Sequence, residues 1–281
     1  MPAGRNVLSL GDWTFDVTTK ALIMGILNRT PDSFYDKGET FDLGPLVDKA
    51  AKLVADGADL LDVGGVKAGP GPEVSMEEEI DRVIPSIEAL NARFDVPLSV
   101  DTWRAAVARE AYGAGAVLGN DISGFADPAY LDEAHKAGAS VVATHIRLAP
   151  RVRDPEPHYD DVARTVNGFL QQRAHRALET GIPADRIILD AGLDLGKTPL
   201  QSLELLRCTD SLCDLGFPVL LSASNKTFFG EVLGLGIDQR RDASLAAAAM
   251  SIGLGARVLR VHDVAGTRKV RDALAAVLGA S

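Results

Sequence analysis

The chain has 281 residues, 46% hydrophobic and 24% charged, with a formal net charge of −10. That length supports one large α/β core, and the acidic balance argues against nucleic acid or a membrane surface as partner. Cys208 and Cys213 match no zinc spacing and form no disulfide framework, Met1 to Thr19 lacks an apolar leader, and no apolar run reaches membrane length; a cytoplasmic protein is expected.

Asn6 to Asp16 reads as a short hairpin able to cover the bottom of a barrel. The apolar run Leu22 to Leu27 stops at Asn28 and gives way to Thr30-Pro31-Asp32-Ser33, which is turn chemistry. Asn28 therefore ends a buried strand, and the loop after it carries Asp32 and Asp36. Pro45 to Asp56 has helical spacing, Asp59 to Val63 is a strand closed by Gly64-Gly65, and Ser75 to Phe94 is a helix. Ser75 with Glu78 predicts a capping box there, and Glu77 to Glu79 suit the positive end of the helix dipole. The alternation continues with strand Leu98 to Val100 and helix Ala105 to Gly113, then Val117 to Leu118 leading into Asn120-Asp121 and helix Tyr130 to Lys136. Strand Ser140 to Ala143 ends near His145. A charged, proline-bearing loop, Arg147 to His158, precedes the long helix Val162 to Thr180. Strand Ile187 to Leu189 ends in Asp190, and Leu200 to Leu215 is a helix. Strand Val219 to Leu221 enters Ser222 to Lys226, followed by helical material ending in the Ala-rich Ser244 to Leu254. Val258 to Val261 is the last strand, holding Arg260 and leading to His262, before helix Val264 to Leu278.

Strict strand–helix alternation over the whole chain predicts a single-domain (β/α)₈ TIM barrel. A doubly wound sheet is the alternative, but no Gly-x-Gly-x-x-Gly follows the opening strand. In a barrel the reacting groups come from strand carboxyl ends. Those positions here hold Asn28, Asp62, Asp101, Asn120, His145, Asp190, Lys226, Arg260 and His262. Buried carboxylates need hydrogen-bond donors or a cation, and a flat ring bearing NH and NH₂ groups would supply donors to Asp101 and Asp190. Lys226 suits a ring carbonyl, and Arg260 with His262 a phosphate. Asn28 with loop carboxylates suits Mg²⁺, which prefers oxygen ligands and a phosphate partner. Asp62 reads as a cap of the Gly64-Gly65 turn or the neighbouring strand, and His145 equally as a satisfied barrel-top histidine. Arg260 inside an apolar strand is the strongest oddity, since an unpaired guanidinium there is costly. Arg151-Val152-Arg153 reads as a solvated loop, with an extra anion contact as the alternative.

The set MGILNRTPDSF, DVGG, SVDT, GNDISG, DAGLDLGK, SNK and RVHDV resembles the dihydropteroate synthases, in order and over nearly the whole chain. The resemblance implies condensation of 7,8-dihydropterin-6-ylmethyl diphosphate with 4-aminobenzoate, using Mg²⁺, in folate synthesis. It implies that Asp101, Asn120, Asp190 and Lys226 hold the pterin, Asn28 the metal and pyrophosphate, and Arg260 with His262 the pyrophosphate. Ser224 would contact the 4-aminobenzoate carboxylate, and Asp36 would help form the second-substrate site. As catalytic residues it points to Asp36, Lys226 and Arg260. It also suggests a homodimer through the late barrel helices.

The departures from the family pattern bear on activity. Gly-Gly-Glu-Ser-Thr-Arg-Pro-Gly is here Gly64-Gly65-Val66-Lys67-Ala68-Gly69-Pro70-Gly71, with Ala68 at the threonine and Gly69 at the arginine. Ser-Arg-Lys is Ser224-Asn225-Lys226, Asp-Pro-Gly is Asp190-Ala191-Gly192, and the Val after the first Asn is Arg29. Removing one preorganised donor to a developing anion costs on the order of 10²–10³ in rate. Lys67 or Arg29 is the available substitute, but a lysine cannot reproduce a bidentate arginine grip. The expectation is a pterin-binding barrel with reduced or lost transfer. The alternatives are a non-catalytic pterin-binding paralogue and a pterin-dependent methyltransferase, with retained Ser224 and Lys226 favouring the first two readings.

Overall fold

A computed structural model describes residues 6–30 and 42–278. Asp32 and Asp36 lie outside the described residues. The chain opens with an antiparallel hairpin, β1 (Val7–Leu10) and β2 (Trp13–Asp16). Eight parallel strands then close into a barrel: β3 (Leu22–Asn28), β4 (Leu60–Gly64), β5 (Leu98–Asp101), β6 (Leu118–Asp121), β7 (Ser140–Thr144), β8 (Ile187–Asp190), β9 (Val219–Leu221) and β10 (Val258–Val261). Each strand neighbours the next in sequence, and β10 pairs with β3.

These strands are apolar on both faces because both faces are covered. Ile23, Leu61, Val63, Val100, Val141, Leu189 and Leu259 face the helices, whereas Met24, Leu60, Leu118, Val142, Ile188, Leu220 and Val258 fill the barrel. Leu8, Leu10 and Val17 join the inner cluster, so the hairpin plugs the amino-terminal end of the barrel. The Ser140 hydroxyl donates to the Ser9 carbonyl at 2.5 Å, and the Ser9 hydroxyl to Asp185 at 2.6 Å. With its lower half filled mainly by hydrocarbon, the barrel carries its inward-facing charged side chains toward the opposite mouth.

The helices between strands are α1 (Leu43–Asp56), α2 (Met76–Asn91), α3 (Ala105–Ala114), α4 (Tyr130–Lys136) and α5 (Val162–Thr180), then α6 (Pro199–Arg207), α7 (Thr209–Cys213), α8 (Thr227–Leu233), α9 (Arg241–Gly253) and α10 (Val264–Leu278). Two sequence expectations need correcting. The run Leu200 to Leu215 is two helices, broken at Cys208, where the Thr209 hydroxyl bonds the Leu206 carbonyl at 2.8 Å; local back-bonding of this kind competes with the helical ladder. At α2 the Ser75 side chain accepts from the Glu78 amide, but the Glu78 carboxylate pairs with Arg82 instead of closing the box.

Candidate active site

The inward-facing residues change character at the carboxyl ends of the strands. Arg260, on β10, donates through Nε to Asp62 at 2.6 Å and through Nη2 to Asp101 at 2.7 Å. Asn120 donates to the same Asp62 oxygen at 3.2 Å. Asp62, read from sequence as a turn or strand cap, is thus the fully buried anchor of the guanidinium. A cation inside an apolar strand is tolerable only with such partners, which explains why Arg260 can sit there. Burial works against that charge, but Asp62 and Asp101 outweigh it and hold the guanidinium protonated. One guanidinium cannot neutralise two carboxylates, and burial pushes the Asp101 carboxyl up to about 7, with Arg260 pulling it down and Asp62 and Glu79 pushing it further up.

Above this network lies an open cleft of about 210 Å³. Asn28, Asp101, Ser224, Lys226, Arg260 and His262 all border it. The ion pairs therefore do not fill the mouth; a ring-sized space remains beside them. Asn120 and Asp190 are not among the residues bordering this cleft. Asn120 reaches the site through Asp62. Asp190 follows the inward-facing Ile188 by two residues, and its carboxylate accepts from the Gly192 amide at 2.8 Å. Burial raises its pKa against that amide and the Lys226, Lys197 and Arg260 charges. Gly192 has φ +65 and its missing Cβ would lie 2.0 Å from the His145 carbonyl oxygen, so the turn that presents this amide admits no side chain.

Ser224 and His262 act as a pair: Ser224 Oγ lies 2.9 Å from His262 Nδ1 and accepts from the His262 amide at 3.2 Å. His145 is the buried barrel-top histidine. Its pKa falls to about 3 through burial and the neighbouring Lys197 charge, which keeps the ring neutral. Lys197, unmarked by sequence reading, packs its Nζ against His145 Nδ1 at 2.9 Å and the Gly192, Leu195 and His145 carbonyls at 2.8, 3.1 and 3.3 Å. Burial lowers its pKa to about 7. It ties the loop after β8 to the end of β7.

The loop after β4 is held by guanidinium groups on its carbonyls. Arg82 donates to Gly65 at 2.9 Å, Arg151 to Lys67 at 3.0 Å and to Pro72, and Arg104 to Val74 at 2.8 Å. The loop after β7, expected to be solvated at Arg151, is instead joined to this one. Arg29 does not replace the family arginine. Its Nη1 donates to the Arg82 carbonyl at 2.8 Å and the Asp81 carbonyl at 3.4 Å. Pro85 stands inside α2 and has no N–H for the Asp81 carbonyl four residues earlier; Arg29 supplies a donor there. Lys67 does border the cleft, as do Ala68 and Asn225. Asn225 has φ 58, a left-handed conformation that asparagine adopts more readily than arginine.

Among the described residues no cluster of three or more His, Cys, Asp or Glu is placed to hold a metal. Mg²⁺ bound through one or two protein oxygens, with waters and phosphate completing the shell, needs no such cluster, and the cleft-facing Asn28 amide fits that requirement.

The profile of the family described as pterin binding enzyme matches residues 24–262. The chain belongs to that family. Within the pterin-binding enzymes, it is 46% identical over 266 residues to the "Inactive dihydropteroate synthase 2" of Mycobacterium leprae, covering 92% of this chain and 91% of that one. It is 41% identical over 246 residues to the dihydropteroate synthase of Haemophilus influenzae, covering 87% and 90%. The crystal structure of the Yersinia pestis dihydropteroate synthase with a sulfonamide drug complex superposes with a TM-score of 0.93 at 38% identity, covering 98% of this chain and all of that one. This pterin-binding enzyme is a divergent member of the dihydropteroate synthase group, with the fold expected from its sequence.

Proposed function

We infer that the barrel binds 7,8-dihydropterin-6-ylmethyl diphosphate and transfers its pterin-methyl group to an aromatic amine, with 4-aminobenzoate as the reference acceptor, far more slowly than a member carrying both family arginines. In this reading Asp101 accepts from the ring N–H groups and Lys226 donates to its carbonyl, while Asn120, which does not border the cleft, acts through Asp62, and Asp190 acts through its charge on Lys226. The amine nitrogen forms a bond to the methylene carbon while the carbon–oxygen bond breaks, its electron pair leaving with diphosphate and the amine proton passing to solvent. Arg260 Nη1, which is not used in the pairs with Asp62 and Asp101, and His262 face the leaving group, and Ser224 orients His262. Mg²⁺, when bound beside Asn28, supplies further positive charge to the diphosphate. Asp36 stays a candidate for the second-substrate site.

The observation that carries this reading is the open cleft in which Asp101, Lys226 and Arg260 are retained while Ala68 and Asn225 stand where the family pattern has Thr and Arg. Loss of one such donor costs on the order of 10²–10³ in rate. The M. leprae relative bears the word "inactive" in its name, which supports impaired transfer here. A cytoplasmic homodimer is the corresponding assembly: Leu200, Val232, Leu233 and Met250 are exposed at 71, 43, 56 and 41% on the late helices, apolar area that a second copy would cover. Steady-state assay with both substrates and Mg²⁺ tests the transfer. Turnover equal to that of the H. influenzae enzyme under the same conditions would sink the proposal.

A further inference from the structure

Resting on this reading of the ring site, the way Lys226 is held points to a further residue. Lys226 occupies the N-cap position of α8, with extended backbone (φ −63, ψ 150) and no side-chain capping bond. That position favours Ser, Thr, Asp or Asn, whose side chains accept from the first helical amides. A lysine side chain has only donors and cannot serve them. The residue borders the cleft instead, and its ammonium forms no hydrogen bond or ion pair among the described residues.

The missing cap comes from another loop. Asp194, after β8 and 33 residues earlier in the chain, accepts through Oδ2 from the Thr227 amide and the Thr227 hydroxyl, each at 2.7 Å. Asp194 has φ 68, a left-handed conformation uncommon outside glycine, though aspartate enters it more readily than most. Its own amide donates to the buried Ser202 hydroxyl at 3.1 Å, and Lys197 Nζ fastens the same loop to His145 at the end of β7. The carboxylate is therefore presented from a fixed loop. On the other side of Lys226, the Asn225 amide donates to Ser244 Oγ at 3.0 Å, and Arg240 Nη1 donates to the Asn225 carbonyl at 3.2 Å. Both chain neighbours of Lys226 are thus gripped by other elements, and Asp194 supplies the grip on the helical side. Fixing the backbone at both neighbours limits where the tip of a long, flexible side chain can stand.

We propose that Asp194 is a positioning residue for Lys226: by capping α8 from the loop after β8, it frees the lysine for the ring carbonyl and sets where that ammonium stands.

Calorimetric titration of the full chain with 7,8-dihydropterin-6-ylmethyl diphosphate and Mg²⁺ tests this in the unmodified protein, Asp194→Ala, Asp194→Asn, Lys226→Met and Asp194→Ala/Lys226→Met. Asp194→Ala should weaken binding about fivefold, the scale of one lost cap. Asp194→Asn should bring it back to within about twofold, because one amide oxygen can accept both bonds that Oδ2 accepts now. In the Lys226→Met background Asp194→Ala should change affinity no further, whereas a general loosening of the barrel mouth would add its effect to that of Lys226→Met. If Asp194→Ala does not fold, Asp194→Gly, which takes the left-handed conformation without strain, stands in for it. Undiminished binding in Asp194→Ala, no recovery in Asp194→Asn, or a loss that persists beside Lys226→Met would overturn the inference and leave the ring site standing. Failure of the unmodified protein to bind the pterin would remove the functional reading and this inference with it.

Discussion

Replacing Arg260 with methionine isolates the network at the barrel mouth. The guanidinium bridges Asp62 and Asp101 at 2.6 and 2.7 Å, and the Asp62 side chain is 0% exposed. Methionine keeps much of the aliphatic volume and leaves two buried carboxylates facing each other. Breaking a buried pair from one side costs about 3–5 kcal/mol. For a chain of this size that corresponds to a fall of roughly 6–20 °C in melting temperature, at about 2–4 °C per kcal/mol. The loss depends on pH in a definite direction. Burial already pushes Asp101 up to about 7, whereas an unfolded aspartate titrates near ~3.9. A carboxyl with a raised folded pKa contributes stability that is present below its unfolded pKa and lost as pH rises through the folded one. Without Arg260 that shift widens, so the deficit is small near pH ~5 and grows toward pH ~8. Melts followed by circular dichroism across this range measure it, with Arg260→Met/Asp62→Asn as the partner variant that removes the orphaned charge and recovers stability. A deficit independent of pH, or no deficit at pH ~8, would refute the assignment of these pairs as the support of the site.

Asp101→Asn keeps the size of the side chain and removes one anionic acceptor, so pterin affinity should fall about tenfold or more in calorimetry; in the unmodified protein affinity should weaken as pH drops below about 7, where Asp101 takes up its proton. Gly69→Arg combined with Asn225→Arg should raise turnover by one order of magnitude or more, on the scale of 10²–10³ per restored donor less the strain at residue 225, and an unchanged steady-state rate would count against missing arginines as the cause. Arg29→Met should destabilise by roughly 1–3 kcal/mol by leaving α2 carbonyls short of a donor at Pro85, with pterin binding retained; lost binding at full stability would show that Arg29 serves the ligand instead.

The barrel was legible because its strands are short, largely apolar runs closed by a polar residue or a glycine, and strand ends alone sufficed to nominate Asn28, Asp101, Lys226, Arg260 and His262 around one cleft, with Ser224 added by the family resemblance. What sequence could not show is pairing across the barrel. Asp62 and Arg260 are 198 residues apart, and Asp101 and Arg260 159, so the carboxylates that answer the oddity of Arg260 become visible only when the strands close. Asp62 was misread as a cap for that reason. Arg29 was misread because a guanidinium after a strand resembles a ligand-facing cation until the proline opposite it is placed. The loop arginine Arg151 has the same history: its acceptors are backbone carbonyls in a segment some eighty residues earlier, and carbonyls carry no sequence signature. Asn120 and Asp190 sit where alternation put them, inside the barrel, yet depth relative to the open cleft is a matter of strand stagger that the pattern does not encode.

The claim on which the account rests is that a flat, donor-rich ring occupies the cleft between Asp101, Lys226 and Arg260. Titration of the full chain with 7,8-dihydropterin-6-ylmethyl diphosphate and Mg²⁺, without an amine, measures it directly. Saturable one-to-one binding that weakens about tenfold or more in Lys226→Met, with the melting temperature of that variant unchanged in the absence of ligand, is the expected result. No binding by the unmodified protein, or binding indifferent to Lys226 and Asp101 alike, would contradict it.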